Sequence, residues 1–575
     1  MKKLAVLFSL LFFAGLRFAN SDPMKADLVL RNGLIYTMDA ARSWAESAAI
    51  QGDKIVYVGD DAGIQTWIGE NTKTIQLEGR LILPGFIDGH VHPIGAGIEM
   101  RQCGLGDKET KEEVLAAVRE CAKAHPEAAW LLGNTWQLPV FPNANPQKEW
   151  LDAIVSDRPA LLSAADGHSV WVNSKALEMA GITKNTPDPA NGRIERNAQG
   201  EPSGTLRESA ADLVYKIAPE STLEEKITGL KQALSEMNRF GITGFNDASV
   251  GEDTTTGGLL VYREAEKRGV LTARVTASLY ADPEGSLDQV LQQVEKFKKL
   301  RAELPGDFLR ATAVKLFADG VIEANTAALL LPYLDKANDA GSLNWEPEKL
   351  NPFVKLLDHE KFQVHFHAIG DRAIRVALDS LEAARKANGS RDARPMIAHL
   401  ELIDPQDIPR FASIHVVPVF QPIWAYADPY ITDLTIPKLG ESRSRWIYPM
   451  QSVLATGATL AMGSDWSVSS VNPLDGIEVA VTRQKPEGPE ATDQPFIPEE
   501  RILLKDALAA YTIGSAYVTF RDQDTGSIET GKLADLIVLA DNLFMIPPAK
   551  ISEVKVLLTL LGGKEIYRDP VWSKE

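Results

Sequence analysis

Apolar and polar residues alternate with a period of two near both ends of the chain. Residues 26–82 contain three such stretches, ADLVLRNGLIYTMD, AAIQGDKIVYVGD and KTIQLEGRLIL, with Asn32-Gly33 and Gly52-Asp53 as turn pairs. This alternation predicts short β-strands joined by hairpins. The pattern returns in TGSIETGKLADLIVLA and VKVLLTLLGGKEIYRD. We therefore predict that residues 22–82 and 521–575 together form one small β-domain.

The central part of the chain, residues 83–520, has a different pattern. Short apolar or β-branched runs such as RATAVKLFADG and FQVHFHAIG are separated by amphipathic helical stretches such as SLDQVLQQVEKFKKLRAEL. Repeated strand–helix units in this number predict an α/β fold of the TIM-like (β/α)8 barrel type. The stretch around 105–235 is long for one unit, and we predict an insertion there.

Composition and charge narrow the class of protein. Of the 575 residues, 45% are hydrophobic and 24% are charged, as in a globular protein with a substantial core. The formal charge of −18 disfavours nucleic acid and anionic lipid as partners. We expect a small-molecule substrate, with a homodimer as the default assembly.

The first 21 residues have the layout of a secretory signal peptide. Lys2 and Lys3 precede an apolar run, and small residues follow it at Ala19 and Ser21. No later segment approaches about 20 consecutive apolar residues, so we expect no integral membrane span in the mature chain. The pattern predicts export, to the periplasm or the medium.

Only two cysteines, Cys103 and Cys121, are present. In an exported protein they could form one disulfide. Cys121 lies in a predicted helix, KEEVLAAVRECAKA, where a buried thiol is equally natural, and we favour free thiols.

Polar side chains occur where the predicted barrel strands end. In such barrels the carboxyl ends of the strands form the active site. His90 and His92 are two residues apart and should point to the same side of their strand. The whole set is His90, His92, Lys315, His367, His399 and Asp465. Imidazole and carboxylate groups bind Zn, Mn or Fe, so the set predicts a metal site.

Lys315 needs a separate explanation because an ammonium group cannot bind a metal. If burial lowers its pKa, the neutral amine can react with carbon dioxide to form an anionic carbamate that bridges two metals. The alternative is an ordinary lysine paired with Asp319 or Asp371. His365 also lies in a His-x-His pair with His367, and we interpret it as a core residue or one that orients a ligand.

The motifs GFIDGHVHP, DGHSVWVNSKAL, VKLFADG, HAIGDRA and GSDWSVSSVNPLDG, in this order, resemble the amidohydrolase superfamily. The resemblance is to its YtcJ-like branch (amidohydrolase family 3), which includes N-substituted formamide deformylases, and it covers about residues 26–567. It implies a metal-dependent (β/α)8 barrel flanked by a β-sandwich built from both chain ends.

The resemblance also implies a division of the metal ligands. His90 and His92, with Asp465 beside them, resemble the ligands of a first metal, and His367 and His399 those of a second. Lys315 occupies the position of a carboxylated bridging lysine. One or two divalent ions, zinc first, and carbon dioxide for Lys315 are thus the expected cofactors.

This ligand set predicts hydrolysis of a C–N bond in an amide, formamide or cyclic amide. A metal lowers the pKa of bound water to near 7, Asp465 would carry the proton, and His168 would assist the oxyanion. The same site could cleave esters, lactones or phosphoesters, and a catalytically silent binding or regulatory protein would keep the same fold.

Aromatic and polar residues near the strand ends are candidates for substrate binding. They are Trp136, His168, Trp171, Asn173, Trp424 and Trp466. The alternative is that many of the tryptophans are core residues. The GxGW stretch usual in the family reads GNTWQ here, from Gly133 to Gln137, so we expect a different pocket near Trp136.

Overall fold

The computed structural model of the protein describes residues 25–251, 257–304, 306–486 and 494–572. The predicted signal peptide, residues 1–21, lies outside the described residues. None of the helices in the described ranges combines the length and apolar character needed to span a bilayer.

Eight parallel strands form the centre of the molecule. They follow one another around a nearly closed barrel in chain order, each paired with the next. We number them β1 (Phe86–Val91), β2 (Ile242–Val250), β3 (Arg274–Tyr280), β4 (Leu309–Phe317), β5 (Gln363–Ala368), β6 (Met396–His399), β7 (Val417–Phe420) and β8 (Ala461–Met462). The predicted TIM-like (β/α)8 barrel is confirmed.

Helices cover the outside of the barrel. The longer ones are Leu223–Arg239, Gly258–Lys267, Leu287–Ala302, Pro347–His359, Asp371–Asn388 and Pro473–Thr482. Shorter ones are Pro93–Glu99, Ile408–Ser413, Ile436–Leu439, Glu441–Ser444, Met450–Leu454, Leu504–Ala509 and Ser515–Val518. Reciprocal side-chain caps begin two of the long helices, through Thr222 with Glu225 and Ser286 with Gln289.

The sheets beside the barrel combine both ends of the chain. A six-stranded sheet has the order Lys564–Arg568, Val556–Leu561, Leu536–Leu539, Leu81–Pro84, Leu34–Tyr36, Trp44–Ala45. A four-stranded sheet has the order Lys54–Gly59, Ser47–Gln51, Leu28–Arg31, Lys73–Gln76. One apolar cluster includes Leu30 and Ile50 from the start of the chain and Leu536 and Leu558 from its end. The predicted β-sandwich built from both ends is confirmed.

The segment between β1 and β2 contains a further six-stranded sheet. Its order is Gly192–Arg196, Pro202–Glu208, Ser169–Val172, Ala160–Ala164, Leu131–Trp136, Cys103–Gly104, with helices Lys111–Ala124, Lys148–Asp152, Ser174–Met179 and Asp212–Tyr215. The helix Leu223–Arg239 instead buries Ile227, Leu230 and Met237 in the main core. The insertion therefore ends before this helix, earlier than the predicted boundary near 235.

A disulfide joins Cys103 and Cys121 inside this insertion. The Cα atoms are 6.0 Å apart, because the helix that carries Cys121 packs against the sheet whose edge strand contains Cys103. The expectation of free thiols was wrong. Helix periodicity alone does not reveal which strand a helix will face.

Candidate active site

The carboxyl end of β1 carries the first two predicted ligands. The His90 side chain is buried, whereas that of His92 is 32% exposed. Both contact the same oxygen of Asp465: Oδ1 lies 3.4 Å from His90 Nε2 and 3.1 Å from His92 Nε2. Burial acts to lower the pKa of His92, but the close contact and charge of Asp465 raise it.

The ends of β1 and β8 are held together by backbone and side-chain hydrogen bonds. The Asp465 N–H donates to the His90 carbonyl at 2.8 Å. Asp88 accepts from the N–H groups of His90 and Ser464 at 3.0 Å and from the Ser464 hydroxyl at 2.6 Å. Gly89 is required here, since a Cβ would lie 2.9 Å from the Met462 carbonyl oxygen. Sequence reasoning missed Asp88, although it stands in the motif GFIDGH.

Lys315 extends from β4 into the same site. It is fully buried, and its Nζ lies 3.4 Å from His90 Nε2 and 4.8 Å from the Phe317 ring centre. Burial lowers its pKa to about 7. Among the described residues it forms no ion pair. Asp319 instead accepts three backbone N–H bonds, and Asp371 accepts the N–H of Leu330.

A chain of hydrogen bonds behind His90 fixes the orientation of its ring. His90 Nδ1 lies 3.1 Å from His365 Nε2, and His365 Nδ1 lies 2.9 Å from the Ser278 hydroxyl. That hydroxyl donates to Asn246 Oδ1 at 3.0 Å. If each proton is donated in this direction, His90 Nε2 carries no proton and faces the site as an acceptor. The structure thus places His365 behind a predicted ligand, as the sequence interpretation had it.

His367 from β5 and His399 from β6 lie on the opposite side of the site. Their ring centres are 4.4 Å apart, and that of His399 is 4.7 Å from His90. Burial lowers the pKa of both; the charge of His168 lowers that of His367 further, and the charge of His367 lowers that of His399 further. These rings are therefore held neutral, the form in which imidazole binds metals.

The donor atoms fit a metal cation. One ligand atom each from His90, His399 and Asp465 lies within 4.8 Å of the others. His399 Nδ1 and Asp465 Oδ1 are buried and make no well-aligned hydrogen bond, although Oδ1 lies close to the imidazoles of His90 and His92. Buried polar atoms left without partners are costly, and a cation among them would satisfy both. Two neutral imidazoles and one carboxylate are ligands of the type that zinc and related ions take.

His168 reaches the site from the insertion. Its Nδ1 donates to Glu208 Oε2 at 2.8 Å, and Glu208 Oε1 accepts the Thr326 hydroxyl at 2.7 Å. Burial acts to lower the pKa of His168, but the charge and hydrogen bond of Glu208 raise it to about 9. The ring centre lies 5.2 Å from that of His367. At neutral pH the imidazole is protonated, and its Nε2–H is left to donate into the cavity.

A cavity of about 280 Å³ opens over these residues. His168, His367, His399 and Asp465 line it, together with Trp424, which stacks on His399 with ring centres 5.7 Å apart. Carboxylates that the sequence did not suggest also line it: Asp166, which accepts the N–H of His168 and the hydroxyl of Ser169, and a set of three, Glu323, Glu401 and Asp428. Burial raises the pKa of all three, that of Asp428 to about 7.

The structure does not bring four of the predicted substrate residues to this cavity. Trp136 and Trp171 are buried in the insertion, where their Nε1 atoms donate to backbone carbonyls of Leu162 and Gln147. Asn173 caps the helix Ser174–Met179, and its side chain bonds only to backbone atoms. Trp466 packs against the main core beside Asp465. These residues were misassigned because bulk and position near a strand end do not distinguish core from cavity.

The class of protein follows from a comparison of families. The profile of the amidohydrolase family matches residues 73–567, and the chain therefore belongs to that family. This confirms the resemblance seen in the motifs. The family is one of metal-dependent hydrolases, which agrees with the candidate metal site at the strand ends.

Several relatives match over nearly the whole chain. It is 35% identical to the protein LONG AFTER FAR-RED 3 of Arabidopsis thaliana, over 94% of this chain and 92% of that protein. It is 30% identical to the putative amidohydrolase YtcJ of Bacillus subtilis, over 95% of this chain and 99% of that protein. It is 26% identical to the N-substituted formamide deformylase of Arthrobacter pascens, over 93% of this chain and 97% of that protein.

A solved structure agrees with the fold. An uncharacterized metal-dependent hydrolase from Pyrococcus furiosus is 26% identical, with a TM-score of 0.68 over 90% of this chain and 99% of that one.

Proposed function

We propose that the protein hydrolyses a C–N bond in an amide, formamide or cyclic amide. The observation that carries the proposal is the convergence of His90, His399 and Asp465, with two buried donor atoms that make no well-aligned hydrogen bond. The similarity to an N-substituted formamide deformylase supports this bond type over an ester or phosphoester.

His90, His92, His367, His399 and Asp465 would hold one or two divalent ions, with zinc as the first choice from the donor set. A bound ion supplies Lewis acidity and lowers the pKa of water at the site from 15.7 to about 7. We further propose that Lys315 is carboxylated. Its neutral amine would attack carbon dioxide and lose a proton, giving an anionic carbamate beside His90 in place of a buried ammonium.

The chain's own residues perform the proton transfers. Asp465 would accept the proton of the attacking water and deliver it to the leaving nitrogen, so that the C–N bond breaks to give a carboxylic acid and an amine. The Nε2–H of His168 would donate to the carbonyl oxygen as it becomes negative. Glu208 would keep that imidazole charged and oriented.

The first test is the metal content per chain, measured by plasma mass spectrometry on protein purified without chelator. We expect two metals in the wild type, fewer in Lys315→Ala and in His90→Ala/His92→Ala, and no change in the exposed control His125→Ala. One metal that is insensitive to Lys315→Ala would indicate a mononuclear site. No metal in any variant would favour a silent binding protein.

The second test is turnover by Asp465→Asn. Loss of the proton carrier should lower kcat by about 10²–10⁴-fold or more while metal content stays near that of the wild type. Asp307→Asn, whose side chain is 96% exposed, is the matched control. Activity retained by Asp465→Asn would refute the role of this residue. If the wild type hydrolysed only esters or lactones, the proposal of a C–N bond would be wrong.

Export and dimerisation are also proposals. The Cys103–Cys121 disulfide supports an oxidising compartment, since such bonds are rare in the cytosol. N-terminal sequencing of the mature protein should begin after Ser21, and light scattering would give the oligomeric state.

A further inference from the structure

A second set of carboxylates lines the cavity of the candidate active site. Glu323, Glu401 and Asp428 share it with the predicted metal ligands, and no lysine or arginine lines it within the described ranges. Lys438 donates to Asn325 Oδ1 at 2.6 Å and to Asp335 Oδ2 at 3.1 Å, and the charged imidazole of His168 in the same cavity is paired with Glu208. The carboxylates are thus left without a pairing side chain.

The hydrogen-bond donors around these carboxylates are too few. The Thr435 hydroxyl lies 3.1 Å from Glu323 Oε1 and 3.3 Å from Glu401 Oε1, and one hydroxyl proton can serve only one of them. Glu401 is 2% exposed, and Asp428 accepts only backbone N–H groups, among them that of Ile431 at 2.9 Å. A buried carboxylate that faces a cavity without a donor is costly unless a cation compensates it.

Aromatic rings line the same cavity and indicate the kind of cation. Trp424, Tyr430 and Tyr448 stand beside the three carboxylates. Ring faces attract ammonium and guanidinium groups, and the rings also pack against alkyl carbon. Calcium or magnesium would instead require six or more oxygen ligands, including water. The mixed lining therefore fits an organic cation better than a metal ion.

We propose that the substrate carries an ammonium or guanidinium group, which binds among Glu323, Glu401, Asp428 and the aromatic rings. This rests on the proposed function, because it places the scissile C–N bond beside Asp465 and the cation in the same cavity. The volume of about 280 Å³ limits the whole substrate to a small molecule.

Matched substrates test the proposal. Mono-N-formyl-1,5-diaminopentane and N-formylhexylamine differ only in an ammonium group replaced by a methyl group. We expect kcat/KM for the cationic compound to be at least about tenfold higher, which corresponds to about 1.4 kcal/mol. The ratio should fall towards one in Glu323→Gln and in Asp428→Asn, and it should not change in the exposed control Glu127→Gln.

A binding measurement separates this inference from the proposed function. Benzylammonium should bind the holoenzyme at least about tenfold more tightly than neutral benzyl alcohol by calorimetry, and Glu323→Gln should remove the difference. Equal hydrolysis of both formamides would overturn the inference and leave the proposed function standing. If cation binding depends on Glu323 but no amide is hydrolysed, the proposed function is refuted and the cation site stands. Equal binding of both benzyl probes, or displacement of benzylammonium by calcium chloride, would also overturn it.

Discussion

A buried ion pair between the barrel and the terminal β-sandwich gives a quantitative stability prediction. Arg274, at the start of β3, donates from Nε to Asp535 Oδ2 at 2.7 Å and from its terminal nitrogen to Oδ1 at 3.0 Å. The side chains are only 5% and 3% exposed, and Asp535 Oδ1 also accepts the Gly562 N–H at 2.7 Å. One side chain of the barrel thus holds the C-terminal part of the sandwich.

Replacing Arg274 by Ala leaves the Asp535 carboxylate buried without its cation. Breaking a buried pair in this way costs about 3–5 kcal/mol of the free energy of unfolding. Arg263 and Glu303 form a matched exposed pair at 2.9 Å, with side chains 50% and 51% exposed. Such pairs contribute about 0.2–1 kcal/mol, so Arg263→Ala should destabilise the protein far less.

Urea unfolding of both variants measures the difference. The double variant Arg274→Met/Asp535→Leu should recover most of the loss, because apolar side chains of similar volume need no counter-charge. The reasoning is refuted if Arg274→Ala shifts the unfolding midpoint no more than Arg263→Ala does.

Two further predictions concern the insertion. Cys103→Ala/Cys121→Ala should lower the free energy of unfolding by about 3 kcal/mol, because the disulfide closes a loop across a separation of 18 residues. Dithiothreitol should shift the unfolding midpoint of the wild type and not that of the double variant; a wild type insensitive to the reductant would contradict this. The pKa of His168 is raised from an ordinary 6.5 to about 9. The stabilisation that its pairing with Glu208 gives the fold is therefore fully present below pH 6.5 and is lost as the pH rises through 9. Glu208→Gln should flatten this decline in unfolding midpoints measured from pH 6 to 10, and an equally steep decline in the variant would contradict the assignment.

The sequence predicted the strand ends better than it predicted the walls of the cavity. His90, Lys315, His399 and Asp465 each close an apolar run, and parallel strands in a barrel bring their carboxyl ends to one face whatever lies between them. Trp136 ends its strand and Trp171 is one residue from the end of its own, but those strands belong to the sheet of the insertion. Their indoles are satisfied by backbone carbonyls in its core.

The missed acidic residues come from segments with no periodic signal. Glu323 follows β4 in an irregular loop, Glu401 lies just after β6, and Asp428 precedes a short π-helical turn, Tyr430–Thr435. Nothing in their local sequence distinguishes them from exposed acids. Only the folding of these loops over the barrel buries Glu401, partly buries the other two and places the three beside one another.

By itself, the sequence predicted the barrel and the sandwich made from both chain ends, and it named the residues that we propose as metal ligands. Periodicity and strand-end position are local properties of the sequence, and they do not depend on how the loops are arranged. The tertiary structure alone decided the disulfide, the His168–Glu208 pair and the acidic side of the cavity. These depend on distances between residues far apart in the chain, such as the 2.8 Å between His168 and Glu208, which the antiparallel pairing of two strands of the insertion sets.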